Sequence, residues 1–269
     1  MKVLLAAPDT YRFEARLVAR ALDGVGADPE LCRPGTEGAL QLRVGEELVL
    51  LPEPAAAAVL SLPEPRDGLV TPPGRPGRLV DLGPGSHVAM AGRLRTAMLA
   101  VHRRDLRALE VERPEEARAM LEEGRVEAWI APIRHARAVD LASWTSEVFE
   151  PTSWATAAGR GVVVLDASDA PEAVRALVRL IDDKAGRAAF AAELEMLAAL
   201  GAGPDAPLGV MARAQGSQLR LRALVPSEDG RRLVRAELSG PLSNPSGAGR
   251  RVAELLRARG ALDVLGVAS

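Results

Sequence analysis

The chain has 269 residues, 48% of them apolar and 26% charged, which suits a globular protein of two domains, or three small ones, at about 150 residues per domain. A formal net charge of -2 excludes nucleic acid as a bulk partner, because phosphate binding needs a basic footprint. No apolar run approaches the roughly 18 residues of a membrane span, and the opening Met1 to Pro8 run is too short for a signal peptide. Cys32 is the only cysteine, so no intrachain disulfide forms, and a cytoplasmic, reducing setting is expected. Basic charge is nearly all arginine, with Lys2 and Lys184 the only lysines. Arginine forks grip carboxylates bidentately, though a GC-rich genome is the plainer cause.

Lys2 to Ala7 reads as a buried strand. Phe13, Leu17, Val18, Ala21 and Leu22 then recur at helical spacing up to Gly24. Residues 25–60 are poorly patterned, with Glu47 to Leu51 the expected strand, followed by the apolar run Ala55 to Leu62. Thr71 to Gly77 is the clearest breaker cluster and the expected hinge. Beyond it strand and helix alternate. A strand at Val88 to Met90 leads into a helix over 92–103, and Leu106 to Glu112 reads as a strand. Pro114 to Glu123 reads as a helix whose first turn carries Pro114, Glu115 and Glu116, and Val126 to Ala131 as a strand. Val162 to Leu165 is strand-like, and Ser168 to Glu172 offers caps for a helix toward Asp183. A further helix covers Gly186 to Leu200. Three strand-like runs follow, Leu208 to Ala212, Leu219 to Leu224 and Leu233 to Leu238, with a turn at Glu228-Asp229-Gly230. Val252, Leu255, Leu256 and Ala261 close the chain as a helix. That order predicts α/β lobes followed by a small α+β domain.

Several stretches resemble one family, and in one order. Pro65-Arg66-Asp67-Gly68-Leu69-Val70 resembles Pro-Arg-Asp-Ala-Leu-Val. Leu79 to Leu106, with Gly85, Val88, Arg95, Ala97, Leu99, Arg103, Asp105 and Leu106 in register, resembles Leu-Pro-x-Gly-Ala-x-Val-Gly-Thr-Ser-Ser-Leu-Arg-Arg and its sequel. Leu121 to Ala128 resembles Leu-Asp-Glu-Gly-Glu-Tyr-Asp-Ala, Gly159-Arg160-Gly161 falls on Gly-Gln-Gly, and Ala192-Glu193 on Ala-Glu-Arg. The turn Leu200 to Gly209 resembles Leu-Gly-Gly-Gly-Cys-Ser-Val-Pro-Ile-Gly. These are motifs of porphobilinogen deaminase, or hydroxymethylbilane synthase, and the match runs over residues 60–265. In the first 60 residues, Glu14 to Ala19 resembles the family's first helix. Ala6 stands where its first strand would end in Thr-Arg, and its His-Ser-x-Lys-Asp-x-Pro segment, shortened by several dozen residues, has no counterpart.

The resemblance implies two α/β lobes of periplasmic-binding-protein type around a cleft, plus a C-terminal α+β domain with a three-stranded antiparallel sheet. The expected division is 1–76 with 156–184 for a shortened first lobe, 77–155 for the second, and 185–269 for the last domain. It also implies chemistry that joins porphobilinogen units head to tail with loss of ammonia. That chemistry needs a carboxylate at the ring nitrogen, arginines for the acetate and propionate groups, and a cysteine thioether to a dipyrromethane cofactor. Pro204 stands at the cysteine and carries no nucleophile, so no cofactor and no catalytic residue are expected. Asp67 is expected to be structural, and Cys32 an ordinary thiol.

The expected substrate or anion contacts are Arg95, Arg118, Arg93 and Gly92. Arg95 matches the second arginine of the family's pair, Leu94 replaces the first, and Gly92 opens a helix whose free donors favour anions. Glu112-Arg113-Pro114 is what remains of an Arg-Gly-Asn motif, and Arg118 falls on a Thr-Arg-Leu arginine. Arg134 and Arg137 fall where Ala-Gly-Leu-Lys-Arg is expected, with Ala138 at the arginine; they and Arg160 read as solvated. His87, His102 and His135 lack metal-ligand spacing, so no metal is expected. Gly83-Pro84-Gly85 is a turn before a strand, not a phosphate loop. The sequence thus points to a degenerate deaminase. The alternatives are a working synthase, a non-catalytic binder of a carboxylated pyrrole or small anion, and a subunit that stabilises a partner enzyme.

Overall fold

A computed structural model of the chain describes residues 1–8, 11–44, 56–203 and 205–266. In chain order, the first lobe opens with β1 (Lys2–Ala6), α1 (Arg12–Gly24), β2 (Asp28–Cys32), β3 (Leu40–Val44) and β4 (Ala56–Ser61). The second lobe holds β5 (Asp67–Val70), β6 (His87–Met90), α2 (Arg93–His102), β7 (Arg107–Glu110), α3 (Pro114–Glu122), β8 (Ala128–Pro132), α4 (Ile133–Ala138) and β9 (Thr145–Val148). The chain returns to the first lobe as β10 (Val162–Asp166) and α5 (Glu172–Val178). It ends in a third domain of α6 (Lys184–Leu200), β11 (Gly209–Gln215), β12 (Gln218–Pro226), β13 (Leu233–Pro241), α7 (Pro245–Ala258) and α8 (Ala261–Leu265).

Two mixed five-stranded sheets, ordered β2-β1-β3-β10-β4 and β7-β6-β8-β5-β9, form the lobes, and β11-β12-β13 is an antiparallel sheet. This is the expected architecture of two α/β lobes and a small α+β domain. Its parts follow from local chemistry. Ala15, Val18 and Leu22 lie buried on one stripe of α1. Pro114, Glu115 and Glu116 open α3, where a missing N–H costs nothing and acids favour the positive helix end. The Asp183 carboxylate accepts from the Ala185 and Gly186 N–H groups and caps α6. Leu219, Leu221, Ala223 and Val225 alternate along β12 into the last domain's core.

Three expectations need correction. The first lobe does not extend to residue 76: β5 pairs with β8 and β9, so Asp67–Val70 belongs to the second sheet. The Thr71–Gly77 breaker cluster is therefore a loop inside the second lobe, and the first crossing lies ahead of Asp67. The helix after Ser168 has no side-chain cap. Ser168 bonds Asp166 instead, α5 starts after Pro171, and the helix tightens to a 3-10 turn at Arg179–Ile181. The strand expected at Glu47 to Leu51 lies outside the described residues. No helix among those described is long and apolar enough to cross a membrane.

α6 ties the lobes to the last domain. Its Phe190 packs on Val59, Val162 and Val164 of the first sheet. Its buried Glu193 accepts from the Gly159 N–H in the second crossing and the Ala212 N–H on β11, both at 2.8 Å. Burial pushes the Glu193 carboxyl up to about 7, against the two N–H groups that hold it down. The folded chain then keeps a proton that the unfolded chain loses above about 4.5, so Glu193 costs stability as pH rises from there toward 7. Urea unfolding at pH 5 and pH 7.5 should show this loss, and Glu193→Gln should flatten it. An unchanged pH slope in the variant would assign the loss to other groups.

Candidate ligand cleft between the lobes

A cleft of about 650 Å³ opens past the C-terminal ends of the parallel strands β6, β7 and β8, where crevices of open α/β sheets bind ligands. Its walls include Tyr11 of the first lobe, Gly92, Arg93, Arg113 and His135 of the second, Arg160 of the second crossing, and Asp205 and Ala206 of the last domain. The charged lining residues are four arginines (93, 95, 113 and 160) and four acids (Asp67, Glu110, Glu112 and Asp205), so selectivity must come from which of them are already engaged.

Arg95 is engaged. Its Nε and Nη2 donate to the two Asp67 carboxylate oxygens at 2.8 and 3.0 Å, and Nη1 donates to the Ala91 carbonyl at 2.9 Å. Trp154 Nε1 adds a bond to Asp67 at 3.2 Å, and Asp67 is only 2% exposed. Burial alone would raise the Asp67 pKa. The Arg95 charge and its hydrogen bonds, helped by Arg160 and Trp154, outweigh it and hold the carboxyl below its usual range. Asp67, expected to be a structural cap or turn residue, is instead the counter-ion of a buried fork. Arg95, expected to touch ligand, lines the cleft with its guanidinium already donated to Asp67 and Ala91, bracing α2 against β5.

The other expected contacts divide. Arg118 lies outside the cleft: on α3, its guanidinium donates to Glu122 at 2.8 Å and to the Val139 carbonyl at 3.0 Å. Position in a helical motif did not fix which face the side chain took. Arg93 is on the cleft wall and exposed, paired with Glu228 of the last domain. Gly92 also lines the cleft, but its N–H donates to the Glu110 carboxylate at 3.3 Å, so a protein acid already sits at the start of α2. Arg134, read as solvated, is buried and paired with Glu14 at 2.6 Å. Arg137, also read as solvated, is exposed, with its guanidinium 5.9 Å from the Phe13 ring centre. Arg160 is half-buried on the wall.

Arg113 lines the cleft and is not among the expected contacts. It stands exposed on the wall just before Pro114, with its guanidinium in no hydrogen bond or ion pair among the described residues. Its place at the end of a strand and the start of a helix was the available signal. His135 was dismissed for want of metal spacing, yet it lines the cleft. Burial pushes its pKa well down, and Arg134, Arg160 and Arg95 add to that, so the ring is neutral. His102 stacks on Trp154 with centres 5.7 Å apart. Among the described residues no group of three or more His, Cys, Asp or Glu could hold a metal.

The sequence profile of the porphobilinogen deaminase C-terminal domain matches residues 188–258. The porphobilinogen deaminase of Roseiflexus sp. (strain RS-1) is 33% identical over 213 residues, covering 79% of this chain and 69% of that protein. The chain belongs to the porphobilinogen deaminase family. The deaminase of Stenotrophomonas maltophilia (strain K279a) is 32% identical over 214 residues, covering 79% of this chain and 70% of its own. The match to the Roseiflexus castenholzii deaminase, 33% identical over 72% of this chain, spans only 63% of that relative's length. Among solved structures, the methionine-binding protein MetQ aligns at a TM-score of 0.45 and 12% identity, over 67% of this chain and 89% of its own.

The resemblance implies a dipyrromethane group on a cysteine soon after α6, where this chain reads Gly203-Pro204-Asp205, with Pro204 outside the described residues. Asp205 and Ala206 reach the cleft wall, and neither is a thiol. Cys32 sits on β2, the outer strand of the first sheet, and does not line the cleft. The residues present do not fit the group.

Proposed function

We propose that the chain is a non-catalytic member of the porphobilinogen deaminase family that binds a small carboxylated pyrrole, or a similar small anion, in its cleft. The observation that carries the reading is Pro204, which leaves the cofactor turn without sulfur. A covalent tether cannot be replaced by a few hydrogen bonds when a growing chain must be retained between steps. Asp67 supports it as well: its two carboxylate oxygens already accept from Arg95 and Trp154, so the acid is engaged by the protein rather than turned to a pyrrole nitrogen. Binding falls to Arg113, the exposed guanidinium with no hydrogen-bond or ion-pair partner among the described residues, and to Arg160, which also lines the wall. The reading includes a cytoplasmic setting and no resident cofactor.

The alternative, a working hydroxymethylbilane synthase, is favoured by the names of the relatives. One experiment separates the two. Purified protein is incubated with porphobilinogen, and intact mass, uroporphyrin absorbance after oxidation, and binding heat are recorded. Saturable binding is expected, with no added mass and no product. Arg113→Ala should weaken binding by roughly tenfold to a hundredfold, the worth of one hydrogen bond to a charged group, about 1.5–3 kcal/mol. A covalent adduct with uroporphyrin would establish the enzyme instead.

A further inference from the structure

The two lobes touch across α1 and α4, and the seam holds two buried charges. Glu14 on α1 belongs to the first lobe and Arg134 on α4 to the second. Their Oε1 and Nε lie 2.6 Å apart, with side chains only 2% and 3% exposed. The same helices meet again where Arg137 faces the Phe13 ring. Around the pair stand Arg160, Asp67 and Arg95, with Asp67 and Arg95 already bound to each other, and the neutral His135. Burial pushes the Glu14 carboxyl up and brings the Arg134 guanidinium down to about 10, so both groups have lost water.

Two charges in such a seam are tolerable only together. With the lobes apart, each is hydrated; with the lobes closed, each needs the other. A closed seam holding one charge alone leaves it buried and uncompensated. The pair therefore favours one separation of the lobes. The cleft lies beside this seam, with Tyr11 just ahead of α1 and His135 on α4 in its wall. About 650 Å³ is the scale of a pocket for one drug-sized ligand, within roughly 300–1,000 Å³. A growing oligopyrrole would have to spread the lobes.

We infer that the Glu14–Arg134 pair latches the two lobes at one separation, so that the cleft admits a monocyclic carboxylate and refuses a linear tetrapyrrole. The size selection rests on the ligand reading above; the latch does not. Spin labels at Arg20→Cys on α1 and Glu115→Cys on α3, both exposed positions, in a Cys32→Ser background, report the lobe separation by pulsed electron resonance. The otherwise unaltered protein should give one narrow distance. Glu14→Ala, which strands Arg134, should lengthen and broaden it. Arg134→Met, which lets Glu14 take up a proton beside an apolar chain, should broaden it less and guards against a misfolded first variant. Calorimetry then compares porphobilinogen with biliverdin. At least tenfold preference for porphobilinogen is expected, falling toward parity in Glu14→Ala. Unchanged distances in both folded variants, or a broad distribution in the parent, would overturn the latch. A narrow parent distance that both variants broaden, with no porphobilinogen binding, would uphold the latch and remove the ligand reading.

Discussion

Replacing Asp67 with alanine should remove about 3–5 kcal/mol of folding stability, the usual cost of stranding one partner of a buried ion pair. The variant leaves the Arg95 guanidinium without its counter-charge and the Trp154 indole N–H without its acceptor, in a region sealed by Leu69, Met98, Leu99 and Trp154. Urea unfolding of parent and variant at pH 7 reads the difference. Acid supplies an independent check. Because the folded Asp67 pKa lies below the ordinary 3.8, its contribution is fully present above that value and is lost as pH falls through the folded one. The parent should therefore lose stability below about pH 4 in a step that Asp67→Ala lacks. Asp67→Leu with Arg95→Met, which removes both charges at similar volume, should recover most of the loss. A single variant that loses under about 1 kcal/mol would show that the fork does not anchor β5 to α2.

That fork marks the limit of what the sequence made legible. Arg95 could be placed on a helix and in register with a family arginine, but its partner is a matter of tertiary contact. Position 95 meets Asp67 only because β5 and β6 flank β8 in one sheet. Where local chemistry decides the structure, the reading held. Pro114 with its two glutamates announced α3, and the strand-like run Leu219 to Leu224 announced β12. Where pairing decides it, the signal was thin. β2 is the largely exposed outer strand Asp-Pro-Glu-Leu-Cys, aligned only by its bonds to β1. β5 is four buried residues beginning with an aspartate. A Cβ at Gly68 would come within 2.9 Å of the Glu147 carbonyl, so the closeness of β5 to β9 depends on a glycine that reads as a breaker. Arg134 looked like a member of a solvated face because nothing in α4 reveals that α1 covers it with Glu14.

Gly230 packs directly on the backbone of α2, and Gly230→Ala should cost about 2–5 kcal/mol through overpacking against backbone plus strain. The residue sits at φ +67 in the turn between β12 and β13. A Cβ there would lie 2.1 Å from the Ala100 carbonyl oxygen and 2.5 Å from the Val101 nitrogen, both backbone atoms of α2. Helix backbone cannot give way as a side-chain tip can, so the turn must lift. Lifting it releases the Arg104 donation to the Gly230 carbonyl at 2.7 Å and the Arg93–Glu228 pair beside it. It also loosens Leu224 and Leu233, which pack into the second lobe's core. The domain that carries Asp205 and Ala206 to the cleft would then lose its seat, so ligand affinity should fall along with stability. Gly216→Ala supplies the control. That glycine has φ +61 in the β11–β12 turn with nothing within 4 Å of its Cβ, so it isolates backbone strain, about 1 kcal/mol, from collision. Thermal melts of the two variants should therefore differ by several degrees, with the affinity loss confined to Gly230→Ala. Equal melts would mean that strain alone accounts for both and that the turn does not seat the third domain on α2.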